Sequence, residues 1–393
     1  LGGWLEILYG FARLLLQPLF YWFFIYIIFI STSRIRKERK MFGTRAFDIF
    51  SEWQGTWRIG LIAGIVLSII SVGLGFVFPY PLVMVLTVTT ILLYLMTKLN
   101  WLSAAYTFGT SCLLIIIMGT VEFTFLPLDW KEMAESVSLT GITLVMSVLL
   151  VVEALWLIRM KQNKAFPEMV TSSRGKRVGQ HRLKRIGMVP CFVLIPGGAI
   201  TAFAPWWPLF DLGGGSYGLM LVPFLTGFDW NAKGQPPEYA AKWIGSRLLV
   251  LALAAGGLAI GSYWQEWLTA ASIVLAVAGR EFLKLLYRSK AKKRTIFVAN
   301  DSGLPVIGII PGSPADKIGL LVGEHIERIN QMRVTNEEEF YHALQKNRAL
   351  CKMEIRDEQG ELRFIQRSMY EDEHYELGIL FPKSRIKGEK ATN

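Results

Sequence analysis

Residues 17–40 read QPLFYWFFIYIIFISTSRIRKERK. An apolar run from about Leu14 to Ile30 meets a basic stop, Arg34-Ile35-Arg36-Lys37-Glu38-Arg39-Lys40. A cleavable secretory signal needs a basic segment ahead of its apolar run and small residues at its end. Here bulky aromatics lead straight into the cations, so the stretch reads as a retained membrane span. That reading sets the class of the chain.

The composition agrees. Of 393 residues, 52% are hydrophobic and only 19% charged, against about 25% charge in a soluble domain. The deficit excludes a disordered chain and argues against an ordinary cytosolic enzyme. The net charge of +11 does not demand nucleic acid, because basic loops facing anionic lipid give the same arithmetic. Three cysteines, Cys112, Cys191 and Cys351, form no C-x-x-C pair and lie far from any histidine, so they read as idle thiols.

Further runs of span length lie at about Ile59–Phe78, Leu82–Thr97, Leu102–Val121, Val137–Ile158 and Ile186–Ala204. A weaker one, Leu209–Phe228, holds Asp211 and Gly213 to Gly215; Trp243–Ile260 and Leu268–Tyr287 follow. Trp53, Trp57, Trp101, Trp130, Trp206, Trp207, Trp230, Trp243, Trp264 and Trp267 crowd the ends, as an aromatic belt would. Lys and Arg bias sets orientation. The loop after the first span, the Arg159–Arg185 loop and the stretch from Arg288 to Arg294 are all basic and are assigned to the cytoplasm. The Val121–Val137 loop, with Glu122, Asp129, Glu132 and Glu135 against Lys131, is assigned outside. Nine crossings with the N-terminus outside satisfy these assignments. A half-embedded first run or a re-entrant glycine-rich segment would make it seven or eight.

Past Arg294 the apolar runs shorten to strand length and charges interleave. Val306 to Ile310 reads as a strand ending in Pro311-Gly312-Ser313-Pro314. Ala315 to Leu320 reads as a short helix or turn, and His325 to Asn330 and Met332 to Val334 as strands. Asn336 caps a helix from Glu337 to about Lys346, with Phe340, Ala343 and Leu344 on one face. Cys351–Arg356, Glu361–Arg367 and Leu377–Phe381 complete a small β-rich domain. The chain therefore divides into a polytopic α-helical domain of seven to nine spans over 1–290, a small α+β domain over 291–383 and a disordered tail over 384–393.

The string Ile309-Ile310-Pro311-Gly312-Ser313-Pro314-Ala315, then Gly319-Leu320, Gly323-Glu324-His325-Ile326 and Ile329-Asn330, resembles a bacterial PDZ domain over about 85 residues. Glu324 replaces the family's usual Asp, and Gln331 its usual Gly. The resemblance implies that a peptide adds as a strand beside an edge strand and the long helix. The carboxylate loop and groove strand would be Tyr375-Glu376-Leu377-Gly378-Ile379-Leu380, with His342 and Gln345 edging the groove from the helix. A degenerate domain binding internal peptides, or nothing, is the bland alternative.

PDZ domains often accompany membrane proteases, a class with recognisable catalytic motifs. Among His181, His325, His342 and His374 none belongs to H-E-x-x-H, and no metal or cofactor site is expected. Gly214-Gly215-Ser216-Tyr217-Gly218 matches G-x-S-x-G but has no preceding strand and no intramembrane His, so it reads as a turn. Glu153 and the Arg280–Glu281 pair lie near cytoplasmic ends, where snorkelling serves them. No ladder of acids suggests a transporter.

The whole layout, opening with Gln17-Pro18-Leu19-Phe20-Tyr21-Trp22 and Arg45-Ala46-Phe47-Asp48-Ile49 and closing on one PDZ-like domain, resembles the MinJ family of Firmicutes division-site determinants. That resemblance implies a non-enzymatic adaptor in the cell membrane at septum and poles. It would link a DivIVA-like polar scaffold to a MinD-like ATPase, with anionic lipid at its basic loops and no nucleic acid. A PDZ subunit presenting substrates to a membrane protease and a transporter with a regulatory domain are the alternatives.

Two outcomes test this reading. A cysteine at Thr171 should escape an impermeant reagent applied to intact cells, whereas one at Met133 should be labelled; the reverse pattern overturns the orientation. Ser216→Ala should leave cell morphology unchanged, and loss of function at normal protein levels would restore the hydrolase reading.

Overall fold

The computed structural model describes residues 2–96, 99–120, 137–171, 177–209, 215–291, 303–347, 350–357, 359–368 and 377–382. The expectations for the Glu122–Glu135 stretch, Arg174, Lys176, Asp211, Lys292 to Arg294, Tyr375, Glu376 and the tail fall outside these residues.

The N-terminal part is built of helices α1 (Gly2–Leu15), α2 (Pro18–Phe42), α3 (Trp57–Leu74), α4 (Tyr80–Leu95), α5 (Ala104–Thr120), α6 (Leu139–Ile158), α7 (Pro237–Gly261) and α8 (Trp267–Ala291). Pro18 explains the first break: it lacks an N–H and so opens a helix readily but cannot continue one. The basic run does not stop α2. The helix continues through it to Phe42 and ends at Gly43, whose φ of +80° suits a left-handed cap and whose N–H donates to the Arg39 carbonyl. Helices α2, α3, α6 and α7 are long and apolar enough to cross a membrane, and α4 and α5 are shorter apolar helices. This part of the chain is membrane-associated.

Two expected spans are strands. Ile186–Ala204 and Leu209–Phe228 fall in β2 (Arg177–Thr201) and β3 (Ser216–Ala232), one long antiparallel hairpin packed among the helices. Strand β1 (Phe166–Thr171) pairs with the start of β2, so residues 166–171 and 177–185 of the expected Arg159–Arg185 loop are strand. The physical reason is in the residues. Pro190, Pro196 and Pro223 would each cost a helix interior about 3 kcal/mol. In the hairpin Pro190 lies directly opposite Pro223, so neither robs a partner of a donor. Ser216 opens β3 opposite Thr201.

An open two-stranded edge among apolar helices needs partners for its backbone. On the β2 side, α3 and its flanks supply them. Ile186 N–H donates to the Glu52 carbonyl at 3.1 Å and Leu194 N–H to the Phe76 carbonyl at 3.2 Å. Phe192 N–H donates to Ser68 Oγ at 2.8 Å. The approach is close enough that a Cβ on Gly64 would sit 2.2 Å from the Pro190 carbonyl oxygen. On the β3 side, Glu6 accepts from Leu219 N–H at 3.2 Å, and Gln17 donates to the Leu221 carbonyl at 2.8 Å.

Two groups of buried charges are paired within the protein. Glu153 on α6 and Arg280 on α8, 0% and 2% exposed, bond at 2.5 Å, with Ser103 donating to the second Glu153 oxygen at 2.7 Å. Arg280 also lies between the Tyr106 and Trp230 rings. Snorkelling therefore does not account for this pair. Trp207 and Trp230 are also buried, away from the expected belt. At the basic end of α2, Arg34 bonds Glu38 at 2.7 Å and Glu52 at 2.8 Å, and donates to the Asp48 carbonyl at 2.7 Å. Burial alone would raise the Glu52 carboxyl. The hydrogen bond and charge of Arg34, with Lys184 and Ser31 adding, outweigh that and hold it below the usual range.

The C-terminal part is β-rich. Strands β4 (Leu304–Pro305), β6 (His325–Ile329), β8 (Leu350–Arg356) and β9 (Leu362–Ser368) form one sheet in that order, with β7 (Met332–Arg333) also on β6. Asn330 and Gln331 turn β6 into β7 with φ of +48° and +71°, so Gln331 holds a conformation that glycine adopts freely. Strands β5 (Gly308–Ile309) and β10 (Ile379–Leu380) pair separately, and helices α9 (Pro314–Lys317) and α10 (Glu337–Gln345) pack over the core.

Breaking a buried ion pair by removing one partner costs about 3–5 kcal/mol, whereas replacing both with apolar residues is often close to neutral. Glu153→Gln and Arg280→Met should each lower the temperature at which the detergent-solubilised protein loses its monodisperse peak. The double variant Glu153→Leu/Arg280→Met should recover most of the loss. Single variants as stable as the parent would show that the pair is not structural.

Candidate functional site

Helix α10 starts where its sequence directs. Asn336 Oδ1 accepts from Glu339 N–H at 2.8 Å, and the Glu339 carboxylate reaches back to Thr335 N–H at 2.8 Å. Phe340, Ala343 and Leu344 are buried in the β-rich core. The face beside them carries Glu337 and Tyr341.

Facing these two residues is β10. Ile310 N–H donates to the Gly378 carbonyl at 2.8 Å and Ile307 N–H to the Leu380 carbonyl at 2.9 Å. Antiparallel alternation then turns the N–H and C=O of Ile379 toward the other edge. Between that edge and α10 lies a cavity of about 310 Å³, bordered by Ile310, Gly378, Ile379, Glu337 and Tyr341. Leu380 and Phe381 continue the strand side, and the last wall comes from the membrane-associated part: Phe42, Gly43 and Thr44, at the end of α2.

Of the predicted site residues, Gly378, Ile379 and Leu380 border the cavity and Leu377, His342 and Gln345 do not. Leu377 and Ile379 belong to the β-rich core cluster, and Leu380 packs with Phe42, Phe47, Phe166 and Ile307. Gly378 has φ of +76°, and a Cβ there would lie 2.3 Å from the Ser313 Cβ. His342 and Gln345 are exposed on α10 and do not line the cavity; its helix wall is Glu337 and Tyr341. Sequence reasoning missed Glu337, Tyr341 and the Phe42–Thr44 wall. The phase of Phe340 and Leu344 along the helix could have pointed to Tyr341, but nothing local marks Thr44.

Hydrogen bonds tie the β-rich part to the membrane-associated part. Asn163 donates to the Leu320 carbonyl at 2.9 Å and accepts from Val322 N–H at 3.2 Å, and His181 Nε2 lies 2.6 Å from the Ile307 carbonyl oxygen. Glu324, at the position where the resembled motif carries Asp, accepts from Leu321 N–H at 2.7 Å and pairs with Arg363. Burial raises its carboxyl above the usual range, against those two contacts. It shapes the turn and does not border the cavity. Among the described residues no cluster of three His, Cys, Asp or Glu side chains could hold a metal ion.

No family model matches the chain. Comparison with curated proteins finds 35% identity over 381 residues, 96% of this chain and 96% of the relative, to the cell division topological determinant MinJ of Bacillus subtilis (strain 168). Probable cell division topological determinants MinJ of Lacticaseibacillus paracasei and of Lacticaseibacillus casei (strain BD-II) are each 37% identical over 84 residues, 21% of this chain and 23% of theirs. Near-complete coverage at that identity, on a chain of apolar helices followed by a β-rich part, settles kinship: the chain belongs to the MinJ family.

Proposed function

We propose that this protein is a non-enzymatic, membrane-anchored adaptor that recruits cell-division regulators to the septum and poles. The observation that carries the mechanism is the edge of β10, turned to an open cavity beside α10. Affinity would come from main-chain pairing with Ile379, and selectivity from Glu337 and Tyr341. In this reading residues 291–383 are a cytoplasmic PDZ-like unit, residues 1–290 a multi-pass anchor and 384–393 a tail. The partners are a MinD-type inhibitor and a DivIVA-type polar scaffold. What supports a division role is kinship with a division determinant over 96% of the chain. What supports the orientation is that the basic end of α2 and the β1–β2 end of the hairpin lie on the same side as the C-terminal part. Exposed basic residues there, such as Arg36, Arg39 and Lys40, would rest against anionic lipid of the inner leaflet.

Gly378→Val is a poor probe, because its positive φ and its contact with Ser313 make it a folding defect. Tyr341→Lys and Glu337→Lys alter the groove wall at partly exposed positions. Both should disperse a fluorescent MinD-type partner from septum and poles, while the adaptor stays in the membrane at normal levels. His342→Glu, outside the cavity, should not. Normal partner foci in both groove variants would transfer recruitment to another surface. Co-purification of a protease in place of division proteins would favour the substrate-presenting alternative.

A further inference from the structure

Successive residues of a strand point to opposite faces, and on β2 this separates two cations. Lys184 faces the Arg34 cluster, where Glu52 lies 3.7 Å away. Arg185 faces a second crevice of about 310 Å³, between the C-terminal end of α6, the residues that lead into α3, and Pro311 of the β-rich part.

The crevice is cationic without compensation. Arg159, Lys161, Lys164 and Arg185 line it, and no Asp or Glu does. Among the described residues none of the four forms a salt bridge. By contrast, Arg34, Arg182 and Lys184, which border the neighbouring cavity, each have a carboxylate. Arg185 is 7% exposed. Among the described residues its guanidinium donates to the Lys184 and Lys164 carbonyls, at 2.9 and 2.6 Å, and it stacks on Phe166. Glu52, whose charge reaches it, is already bonded to Arg34 and Ser31. A buried charge without a counter-ion is costly, and no described carboxylate bonds this one.

Two further features fit an anion. Trp156, 4% exposed and lining the crevice, has an indole N–H with no partner among the described residues. Gly55 and Thr56 line it at the N-terminal end of α3, the positive end of the helix. The remaining lining is mixed. Ser51 and Gln54 offer polar groups, while Met160 and Phe47 offer apolar surface. Helices α3 and α6, whose ends frame the crevice, are both of membrane-crossing length and apolarity, which sets it at the level of a headgroup layer.

We propose that this crevice binds a phosphate group, carried by an anionic phospholipid at the membrane surface or by a small soluble phosphate. It differs from a general basic surface in having among its lining residues a buried guanidinium and a buried indole N–H with no partner among the described residues. It is also independent of the peptide groove.

The test uses the full-length protein. Native mass spectrometry would count phosphatidylglycerol retained against phosphatidylcholine. Thermal shift would read inorganic phosphate and glycerol phosphate. The parent should retain one phosphatidylglycerol. The exposed triple variant Arg159→Gln/Lys161→Gln/Lys164→Gln should bind on the order of a hundredfold more weakly, from about fivefold for each charge. Trp156→Phe should weaken binding several-fold. Lys317→Gln/Lys346→Gln/Lys352→Gln removes the same charge from exposed positions of the β-rich part and should leave binding unchanged. Stabilisation by soluble phosphate equal to that by lipid would identify the soluble source, and lipid retention alone the membrane. Equal binding by the parent and the first triple variant, or equal loss in both triple variants, would overturn the proposal.

Discussion

The structure depends on one requirement: a long β-hairpin among apolar helices cannot leave its backbone unpaired. Each unsatisfied N–H or C=O there costs several kcal/mol. A closed barrel solves this by having no edge. This chain solves it with helices and short polar side chains. The Gly60 and Gly64 stretch of α3 brings its helix against one strand, while Glu6, Arg13 and Gln17 reach the other. The break at Gln17-Pro18 belongs to the same solution, because it frees Gln17 to turn its amide to Leu221. The N-terminal helix and the loop before α3 are thus both positioned by the hairpin.

Much of this was legible in the residues. Helices α3, α6, α7 and α8 lie where apolar runs of span length occur, because length and apolarity suffice to specify a long helix in an apolar setting. The same measure misreads β2 and β3, since a hydropathy window sums apolarity without regard to phase. Pro190, Pro196 and Pro223 carried the contrary signal, and strand propensity at Val189, Val193 and Ile195 agreed with it. In the β-rich part, the Asn336 cap and the turn residues placed the elements closely, because caps and turns are local chemistry. Which side chains of α10 border the groove was not local: the helix phase decides it, and phase is set by what Phe340 packs on. The wall from Phe42 to Thr44 and the crevice around Arg185 join residues far apart in sequence, so no spacing could announce them.

The charged residues divide in an instructive way. In an apolar protein with 42 Lys and Arg, a basic segment invites one interpretation, contact with lipid. The structure distributes these residues among three situations. Arg280 and Arg34 are internal ties with carboxylates. Arg36, Arg39 and Lys40 are exposed on one helix. Arg185 is buried and lacks an acid. Only burial and partners distinguish the three, and neither is written in composition.

Strand β10 is two residues long, and its two side chains answer to different halves of the molecule. Ile379 sits in the β-rich core and offers its backbone to the groove, while Leu380 is clamped among Phe42, Phe47 and Phe166. Mechanically, this makes the shortest available load path. A pull on a strand held by Ile379 passes through one peptide bond to the hydrophobic clamp at the end of α2, bypassing the chain that connects the two parts between residues 291 and 303. An anchor loaded in that way yields little slack, and tension on a strand bound there would reach the membrane-associated helices almost undamped.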